Sequence, residues 1–573
     1  MPNLVATSVI LVFVALSSAC EKAPAQLDYS AEQSAYFPEA AVASAHPLAS
    51  DVGKQILERG GNAVDAAVAV QLALAVVYPR AGNIGGGGFL VYRAADGTTD
   101  ALDYREKAPA AASRDMYLDE NKDPVDGLST RGHLACGVPG TVAGLVAAHE
   151  KYGALPWKDL VQPAIDLAKN GFLLSETEAS RLNRFQEDFK EFNDEICPFV
   201  RTDTTGWQTA DRIAQQDLAA TLRRIREKKS AGFYAGKTAE LFVAEMEANG
   251  GLITAADLAA YEPVWRQPIT FDYHDYRLIS MPPSSSGGIA LAQMLGMVEN
   301  YPLAEYGYHS TAAIHLMAEA ERRAYADRAE YLGDMDYYPV PVDSLIAEPY
   351  LLQRMETFRP DSASVSTAVG AGDYNMQKES FETTHTSIVD AAGNAVSLTT
   401  TLNSNFGNKV MVDGAGFFLN NEMDDFSIKP GTPNQFGLVG KEANAIAPGK
   451  RMLSSMTPTI IEKDGQLYMV LGAPGGSTII TAVFQVFVNV AEFGMPLDSA
   501  VWAPRFHHQW LPDMIWAEPN VMTDSIRAEL AGMGHQFRDV KRMAVIKAIV
   551  RTADGQLHAV GDKRNPDDDV SGY

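Results

Sequence analysis

The pattern of apolar and polar positions divides the chain into a helix-rich first part and a strand-rich second part. The stretch at 50–79, SDVGKQILERGGNAVDAAVAVQLALAVVYP, predicts two helices. Ser50 or Asp51 caps the first helix, a Gly-Gly pair ends it, and Asn62 starts the second. Helical patterns dominate again from about 140 to 380.

Past residue 381 the pattern changes to short strands joined by tight turns. Three pairs of apolar runs flank the turn sequences DAAGN, KDGQ and ADGQ, which is typical of β-hairpins. A glycine-rich segment at 81–93, AGNIGGGGFLVYR, predicts a further turn that enters a strand. It lacks the Lys-Ser/Thr of a phosphate-binding loop, so we interpret its glycines as places where the backbone closely approaches a neighbour.

The hairpin around DAAGN brings hydroxyl and amide side chains together. A three-residue loop at 391–393 puts a glycine at the left-handed position that such loops need. In that register Thr383 lies opposite Thr401, and Asn403 lies two residues farther along on the same face. Because a slip by one residue would turn these side chains to the other face, the convergence depends on the loop type.

A threonine at the start of this strand allows two interpretations. β-Branched residues suit a pleated strand, so β-propensity alone explains Thr383 and Thr384. Alternatively, Thr383 carries chemistry. A threonine hydroxyl is a poor nucleophile, but an N-terminal threonine has its own α-amine as a base, with a reference pKa of about 7.7–8.0. The second interpretation requires cleavage of the chain between Glu382 and Thr383.

Composition limits the classes of partner. The 573 residues include 47 Lys plus Arg and 72 Asp plus Glu, a formal net charge of −25, which argues against a nucleic-acid partner. There are three cysteines, and only Cys136 and Cys197 remain to pair if Cys20 is modified, so we do not expect disulfides to hold the fold together. His507 and His508 are adjacent without a matching ligand pair, which favours packing or hydrogen bonding over a zinc site.

The first residues of the chain predict export. Residues 1–20, MPNLVATSVILVFVALSSAC, combine an apolar run with small residues, a secretory-signal pattern too short to span a bilayer. The sequence LSSAC also resembles a bacterial lipoprotein processing site that would lipidate Cys20, and the alternative is simple cleavage near Ala19. Residues 21–38 are polar and contain Pro and Ala, which predicts a tether. We therefore expect a periplasmic protein, either free or anchored through Cys20.

The sequence TTHTSIVD resembles the segment that starts the small subunit in the γ-glutamyltransferase (γ-glutamyl transpeptidase) family. The resemblance extends from about residue 46 to the last residue. It implies that Thr383 follows an autoproteolytic break and is the nucleophile, with 39–382 as the large subunit and 383–573 as the small catalytic subunit. It also implies that Thr401 supports the nucleophile and that Asn403 contacts the substrate.

Three further motifs extend the resemblance to the substrate pocket. A free glutamate end has an ammonium and a carboxylate, so a selective pocket needs anionic partners for one and a cation for the other. By resemblance, NNEMDDFS supplies Glu422 and Asp425 for the α-amino group, and DYREKAP supplies Arg105 for the α-carboxylate. RMLSSMTPT supplies Ser454 and Ser455, which the family uses to hold the same carboxylate.

The segment GAPGGS contributes Gly475 and Gly476, whose backbone N–H groups form the oxyanion hole in the family. A glycine lets the backbone come close to the developing negative charge. The loop PGTPNQFGLVG at 430–440 resembles a lid over the pocket. Some bacterial members have an aromatic residue with a hydroxyl at this position of the lid. This chain has Phe436, which can cover the pocket by packing but has no hydroxyl to form a hydrogen bond.

The resemblance implies a covalent two-step reaction. Thr383 attacks the γ-amide of glutathione or another γ-glutamyl compound, the amine leaves, and water or an amino acid or peptide acceptor takes the γ-glutamyl group. Maturation would use the same hydroxyl to attack the carbonyl of Glu382, giving a heterodimer of large and small subunits. No metal or organic cofactor is expected.

The fold implied is a four-layer αββα sandwich of the N-terminal nucleophile hydrolase class, of mixed α/β (α+β) type, with strands from both subunits. Three alternatives remain. A glutaryl or cephalosporin acylase would share the nucleophile, but its substrates lack the α-amine that Glu422 and Asp425 would bind. A poly-γ-glutamate hydrolase would need an open cleft rather than a lid. An inactive surface-binding protein would not keep the set of predicted catalytic residues.

Overall fold

Two seven-stranded antiparallel sheets lie face to face at the centre of the protein, between two layers of helices. The structure, a computed structural model, describes residues 27–193, 197–203, 205–370 and 383–573. The layers are those of the αββα sandwich implied by the sequence resemblance.

The strands in the described residues are, in chain order, β1 Ser34–Phe37, β2 Ala41–Ser44, β3 Gly87–Arg93, β4 Thr99–Tyr104, β5 Phe172–Leu173, β6 Arg212–Ile213, β7 Val264–Arg266, β8 Ile269–Tyr273, β9 Tyr276–Ser280, β10 Thr384–Val389, β11 Ala395–Thr401, β12 Thr459–Lys463, β13 Gln466–Gly472, β14 Phe506–His507, β15 Ile515–Ala517, β16 Phe537–Asp539, β17 Lys547–Arg551, β18 Leu557–Gly561 and β19 Asp569–Gly572. One large sheet has the order β1-β18-β17-β13-β12-β9-β8, and the other has the order β19-β2-β10-β11-β3-β4-β7.

The α-helices in the described residues are α1 Pro47–Glu58, α2 Ala63–Val77, α3 Thr141–Tyr152, α4 Trp157–Asn170, α5 Glu176–Arg184, α6 Gln186–Phe192, α7 Gln216–Lys228, α8 Ala231–Tyr234, α9 Gly236–Ala248, α10 Ala255–Ala259, α11 Gly287–Val298, α12 Leu303–Tyr306, α13 Thr311–Tyr331, α14 Val342–Leu345, α15 Glu348–Met355, α16 Ser366–Val369, α17 Thr478–Ala491, α18 Leu497–Trp502 and α19 Asp524–Gly532. Helices α1 to α3 pack on the sheet that contains β10, and α11, α17 and α18 pack on the other sheet.

Side-chain alternation along the strands explains the layers. In β2, Val42 joins the core formed with α1 and α2, whereas Ala41 and Ala43 join the core that includes the facing sheet. In β10, Ile388 and Val389 divide in the same way. Successive side chains of a strand point to opposite faces, so a strand buried on both faces is apolar throughout.

Strands from both sides of residue 383 are interleaved in each large sheet. Strand β10 lies between β2 and β11, and β11 in turn pairs with β3. In the other sheet β12 pairs with both β9 and β13. The expectation that both parts of the chain contribute strands is therefore confirmed.

The two predicted helices at 50–79 are present, but the first starts earlier than expected. Helix α1 begins at Pro47, and the ring nitrogen of His46 accepts a hydrogen bond from the Leu48 N–H. Proline suits the first helical position because its missing N–H has no partner there in any case. Asn62 caps α2 as predicted, in a reciprocal pair of hydrogen bonds with Asp65.

Three segments differ from the sequence-based expectation. Strand β1 occupies Ser34–Phe37 of the expected tether and pairs with β18, where Tyr36 stacks on His558. The helix-rich part also contains the strands β7 to β9. Helix α17, TIITAVFQVFVNVA, lies in the strand-rich part and is buried almost all round. Its β-branched residues hide the helical period, and burial outweighs their weak strand preference.

Both described cysteines, Cys136 and Cys197, are buried free thiols. Among the described helices, none has the length and apolar character needed to cross a membrane.

Candidate active site

The hairpin β10–β11 has the register predicted from its loop. Cα partners run from Thr384 opposite Thr400 to Val389 opposite Ala395. The loop closes through the Gly393 N–H, which donates to the Asp390 carbonyl at 2.9 Å, and Gly393 has the left-handed φ of 89°.

The same register continues to the predicted catalytic group. Thr383, Thr401 and Asn403 all line one cavity. The Asn403 N–H donates to the Thr401 hydroxyl at 2.7 Å, and the Asn403 side chain donates to the Asn421 carbonyl at 3.1 Å. Asn403 has a φ of 74°, which asparagine tolerates better than most residues. Hydroxyls and an amide thus converge as the ladder predicts.

We call this cavity the donor cavity. The sequence-predicted residues that line it are Arg105, Thr383, Thr401, Asn403, Glu422, Asp425, Phe436, Ser454, Ser455 and Gly476. Gly475 lines a neighbouring cavity that also contains Thr383. Glu382, the predicted processing residue, lies outside the described residues.

A buried ionic cluster forms one end of the donor cavity. Arg105 pairs with Glu422 at 2.6 Å and with Asp425 at 2.5 Å, and a third carboxylate, that of Glu106, lies 3.4 Å away. Burial raises the pKa of Glu422 well above its usual range and also raises the pKa of Asp425, while Arg105 opposes both shifts.

The charges of the cluster suit an ammonium ion. Three carboxylates share one guanidinium, so the group has more acid than base. One oxygen of Glu422 has no hydrogen-bond partner among the described residues, although the side chain is fully buried. A buried polar atom without a partner is costly unless a ligand satisfies it. An ammonium group would supply the missing charge and donors together.

The serine pair lies beside a cation that the sequence motifs did not identify. Arg328 donates to the Ser455 hydroxyl at 3.2 Å and to the Ser286 hydroxyl at 3.0 Å, and it lines the donor cavity. The Ser454 hydroxyl accepts from the Met456 N–H at 3.1 Å. Arg328 lies on α13, which contains several other buried charged residues, so the sequence of this helix does not single it out.

Gly475 and Gly476 immediately precede helix α17, where the helix dipole favours negative charge. Both have left-handed backbones, with φ of 147° and 55°. A Cβ on Gly475 would come within 2.5 Å of Ala544, and one on Gly476 within 2.8 Å of the Phe436 ring. Neither N–H has a hydrogen-bond acceptor among the described residues. The geometry therefore suits an oxyanion hole that only glycine can form.

The segment at 430–440 closes over these glycines. Phe436 is 4% exposed and packs against Gly476, so it covers the cavity by packing, without a hydroxyl. Its carbonyl accepts from the Gln509 side chain at 3.3 Å. Gln509 is held by His507, which also bonds Thr481 of α17 at 2.8 Å. The predicted hydrogen-bonding role of His507 is confirmed.

A buried carboxylate fixes the other side of this lid. Asp424 accepts from the Gln435 N–H at 3.0 Å and from the Ser129 hydroxyl at 2.6 Å. Burial raises the pKa of Asp424 to about 6. The pKa of an aspartate in the unfolded chain is about 3.9, so the folded state holds the proton of Asp424 more tightly than the unfolded state does. The stability that this gives is fully present below about pH 3.9 and is lost as the pH rises through about 6.

An Asp424→Asn variant should gain stability relative to the wild type as pH rises. Asparagine keeps an acceptor for Gln435 and a donor for Ser129 but does not ionise. Between pH 4 and pH 7 the stability difference should move toward the variant by about 2 kcal/mol. Urea unfolding of both proteins at the two pH values measures this, and a difference that does not change with pH would contradict it.

His385 does not face the donor cavity. It is fully buried against Gly472 of the facing sheet, with one ring nitrogen 2.7 Å from the Thr399 hydroxyl and the other 3.1 Å from the Ser387 hydroxyl. Burial holds its pKa well below the usual value, so the ring is neutral. These contacts give His385 a packing role between the two sheets, away from the donor cavity.

One cluster elsewhere has the residue types of a metal site. His315, Glu319 and His535 place one ligand atom each within 4.8 Å of one another. However, the two oxygens of Glu319 accept from Arg322 and Arg323, and the two histidines hydrogen-bond each other at 2.7 Å. Two adjacent guanidinium groups oppose a bound cation, so the cluster does not fit a metal centre.

Comparison with known proteins agrees with the site. A sequence model of the family described as gamma-glutamyltranspeptidase matches residues 49–572. The glutathione hydrolase proenzyme of Escherichia coli (strain K12) is 44% identical, over 98% of this chain and 98% of that protein. The structure of cephalosporin acylase from Bacillus halodurans has a TM-score of 0.82 at 26% identity, over 96% of this chain and 99% of that one. The gamma-glutamyltranspeptidase of Helicobacter pylori has a TM-score of 0.56 at 44% identity, over 61% of this chain and 95% of that one. The chain belongs to the gamma-glutamyltranspeptidase family.

Proposed function

We propose that this enzyme is a γ-glutamyltransferase and glutathione hydrolase in which Thr383 is the nucleophile. One observation carries the proposal: a single cavity joins Thr383 to the N-terminus of α17 and to the buried cluster of Arg105, Glu422 and Asp425. The names of the relatives agree with this activity.

The donor binds by exchanging partners within the buried cluster. Its α-carboxylate takes Arg105 together with the hydroxyls of Ser454 and Ser455, and its α-ammonium takes Glu422 and Asp425. The donor brings one anion and one cation, so the net charge of the cavity does not change. Charge-assisted hydrogen bonds of this kind are about twice as strong as neutral ones and fix the register of the donor.

The chemical step takes place at the other end of the same cavity. The Thr383 hydroxyl attacks the γ-carbonyl, and the α-amine of Thr383 accepts the hydroxyl proton. The carbonyl oxygen becomes an oxyanion that the Gly475 and Gly476 N–H groups stabilise. The C–N bond then breaks, the α-ammonium returns the proton to the leaving nitrogen, and a γ-glutamyl ester remains on Thr383. Water, or the amine of an amino acid or peptide acceptor, attacks this ester in the second step.

Maturation creates the catalytic base. Thr383 attacks the carbonyl of Glu382, an N→O acyl shift gives an ester, and water opens it to leave Thr383 with a free amine. The products are a large subunit at 39–382 and a small subunit at 383–573. Their strands are interleaved in both large sheets, so the heterodimer does not need a covalent link to stay together.

The test is a comparison of two donors with the purified, processed enzyme: a γ-glutamyl anilide and the matching glutaryl anilide, which lacks only the α-amine. We expect the γ-glutamyl compound to be preferred at least about a hundredfold, because the glutaryl compound leaves buried carboxylates without a cation. A preference for the glutaryl compound would instead support a cephalosporin-type acylase, the activity named for the Bacillus halodurans structure. The lid formed by 430–440 argues against a polymer hydrolase.

We also propose that the enzyme is exported to the periplasm. The apolar run within residues 1–20 supports this proposal, and LSSAC supports anchoring through a lipidated Cys20. These residues lie outside those that the structure describes.

A further inference from the structure

Thr383 lies between two cavities. The donor cavity is on one side, and a second cavity is on the other. Thr383 is the residue that lines both, and the oxyanion glycines divide between them, with Gly476 in the donor cavity and Gly475 in the second. We call the second space the amine cavity.

The position of the amine cavity follows from the bond that is broken. When the γ-glutamyl group fills the donor cavity, its carbonyl carbon is at Thr383, and the amide nitrogen must point away from the donor cavity. The amine cavity borders Thr383 outside the donor cavity, so under the proposed function it is where the amine leaves or attacks. We propose that Arg542, at the mouth of this cavity, selects amines that carry a carboxylate. This inference rests on the proposed function.

Arg542 is free to bind such a carboxylate. Its side chain is exposed at the mouth of the cavity and donates one hydrogen bond, to the Arg564 carbonyl at 3.3 Å. Among the described residues, no carboxylate lies within 4.0 Å of its guanidinium, and no acidic side chain lines the amine cavity. A guanidinium binds a carboxylate through two parallel hydrogen bonds, which adds geometric selectivity to the charge.

A second cation lies deeper in the amine cavity. Arg80 is 4% exposed, lies 3.3 Å from Glu178 and stacks on the Tyr78 ring at 4.1 Å. These contacts hold Arg80 in place, and Glu178 balances its charge. The cavity therefore has an ion-paired arginine inside and an exposed arginine, Arg542, at its mouth.

A buried acceptor in the amine cavity is without a partner. Asn565 is 1% exposed, and its amide nitrogen donates to Asp568 at 2.6 Å and to the Ala45 carbonyl at 3.4 Å. These bonds fix the orientation of the amide, and its oxygen has no hydrogen-bond partner among the described residues. An N–H of the bound amine or of its peptide group would satisfy this oxygen. The amine cavity thus offers one acceptor for N–H and one cation for a carboxylate, as a peptide requires.

The experiment uses two chromogenic donors, γ-glutamyl-para-nitroanilide and its counterpart with a carboxylate on the ring. Their leaving groups differ in that carboxylate. We expect wild-type processed enzyme to favour the carboxylated donor, and Arg542→Gln to lower the ratio of the two kcat/KM values roughly tenfold. Arg542→Glu should lower the ratio further, because it replaces attraction with repulsion. The acceptors glycylglycine and glycylglycinamide should show the same change in their KM ratio.

Lys541→Gln is the matched control, because Lys541 is an exposed neighbouring cation that does not line the amine cavity. It should keep the wild-type ratio for both pairs. The proposal is wrong if Arg542→Gln leaves both ratios unchanged, or if Lys541→Gln changes them equally. Failure of the wild type to turn over either donor would overturn the proposed function itself, and this inference with it.

Discussion

Replacement of Thr383 by alanine should leave the chain uncut at residue 382 and lower γ-glutamyl transfer at least about a thousandfold. The change removes the only hydroxyl proposed to attack the donor, and it also prevents the cleavage that would create the catalytic amine. A denaturing gel measures the cleavage, and release of the anilide measures the transfer. One band in place of two, together with loss of turnover, is the expected pair of results.

Two controls separate chemistry from damage to the fold. Thr383→Ser keeps a hydroxyl and an amine, so it should still cleave and still turn over the donor. Thr384→Val changes the neighbouring residue, whose buried hydroxyl has no hydrogen-bond partner among the described residues, so an isosteric apolar side chain should be tolerated. A Thr383→Ala protein that still splits near residue 382 would show that another group carries out the processing.

Replacement of Asp425 by asparagine should remove most of the preference for a donor with an α-amine. The variant keeps the shape of the side chain but loses one of the anions that face the ammonium, while Arg105 keeps its pair with Glu422. Loss of a charge-assisted hydrogen bond in a buried site costs about 1.5–3 kcal/mol, so kcat/KM for the γ-glutamyl anilide should fall roughly tenfold to a hundredfold. The value for the glutaryl anilide should change much less.

Asp424→Asn is the matched control for this variant. Asp424 is the adjacent carboxylate, but it bonds Ser129 and Gln435 and does not line the donor cavity. It should therefore leave the ratio of the two donors near the wild-type value. An equal loss on both donors in Asp425→Asn would show that Asp425 supports the fold of the site and does not recognise the amine.

The core of the site follows from short-range rules. The three-residue loop with Gly393 sets the hairpin register, and the register brings Thr401 and Asn403 to Thr383 without any knowledge of the rest of the fold. The charge pattern of a free glutamate end predicts an Arg and two carboxylates. The family resemblance identified these residues as Arg105, Glu422 and Asp425. The structure places the Arg105 guanidinium within 2.6 Å of both carboxylates.

The other parts of the site and of the fold depend on contacts between segments that are far apart in the chain. Arg328 reaches the donor cavity from α13, and Gln509 reaches the lid across a separation of 73 residues. No local pattern marks either side chain, because their positions are set by how helices pack on the sheet. The early start of α1 at Pro47 depends similarly on His46, whose buried ring serves as the cap.

The amine cavity shows the same limit most clearly. Tyr78 and Arg80 follow α2, whereas Arg542 and Asn565 are in the last part of the chain. They meet because the sheets interleave strands from both ends of the chain, which is a property of the topology. The sequence allowed the glycine motif to be assigned to the oxyanion hole. It could not show that Gly476 lines the donor cavity and that Gly475 lines the other cavity.

In the proposed reaction Thr383 carries the γ-glutamyl group during turnover. The most direct measurement is acid quenching of the processed enzyme during turnover of a γ-glutamyl anilide, followed by peptide mass mapping. We expect the mass increment of one γ-glutamyl group on the first peptide of the small subunit, at Thr383. An increment on a different residue, or steady turnover by a chain that is intact at residue 382, would contradict it.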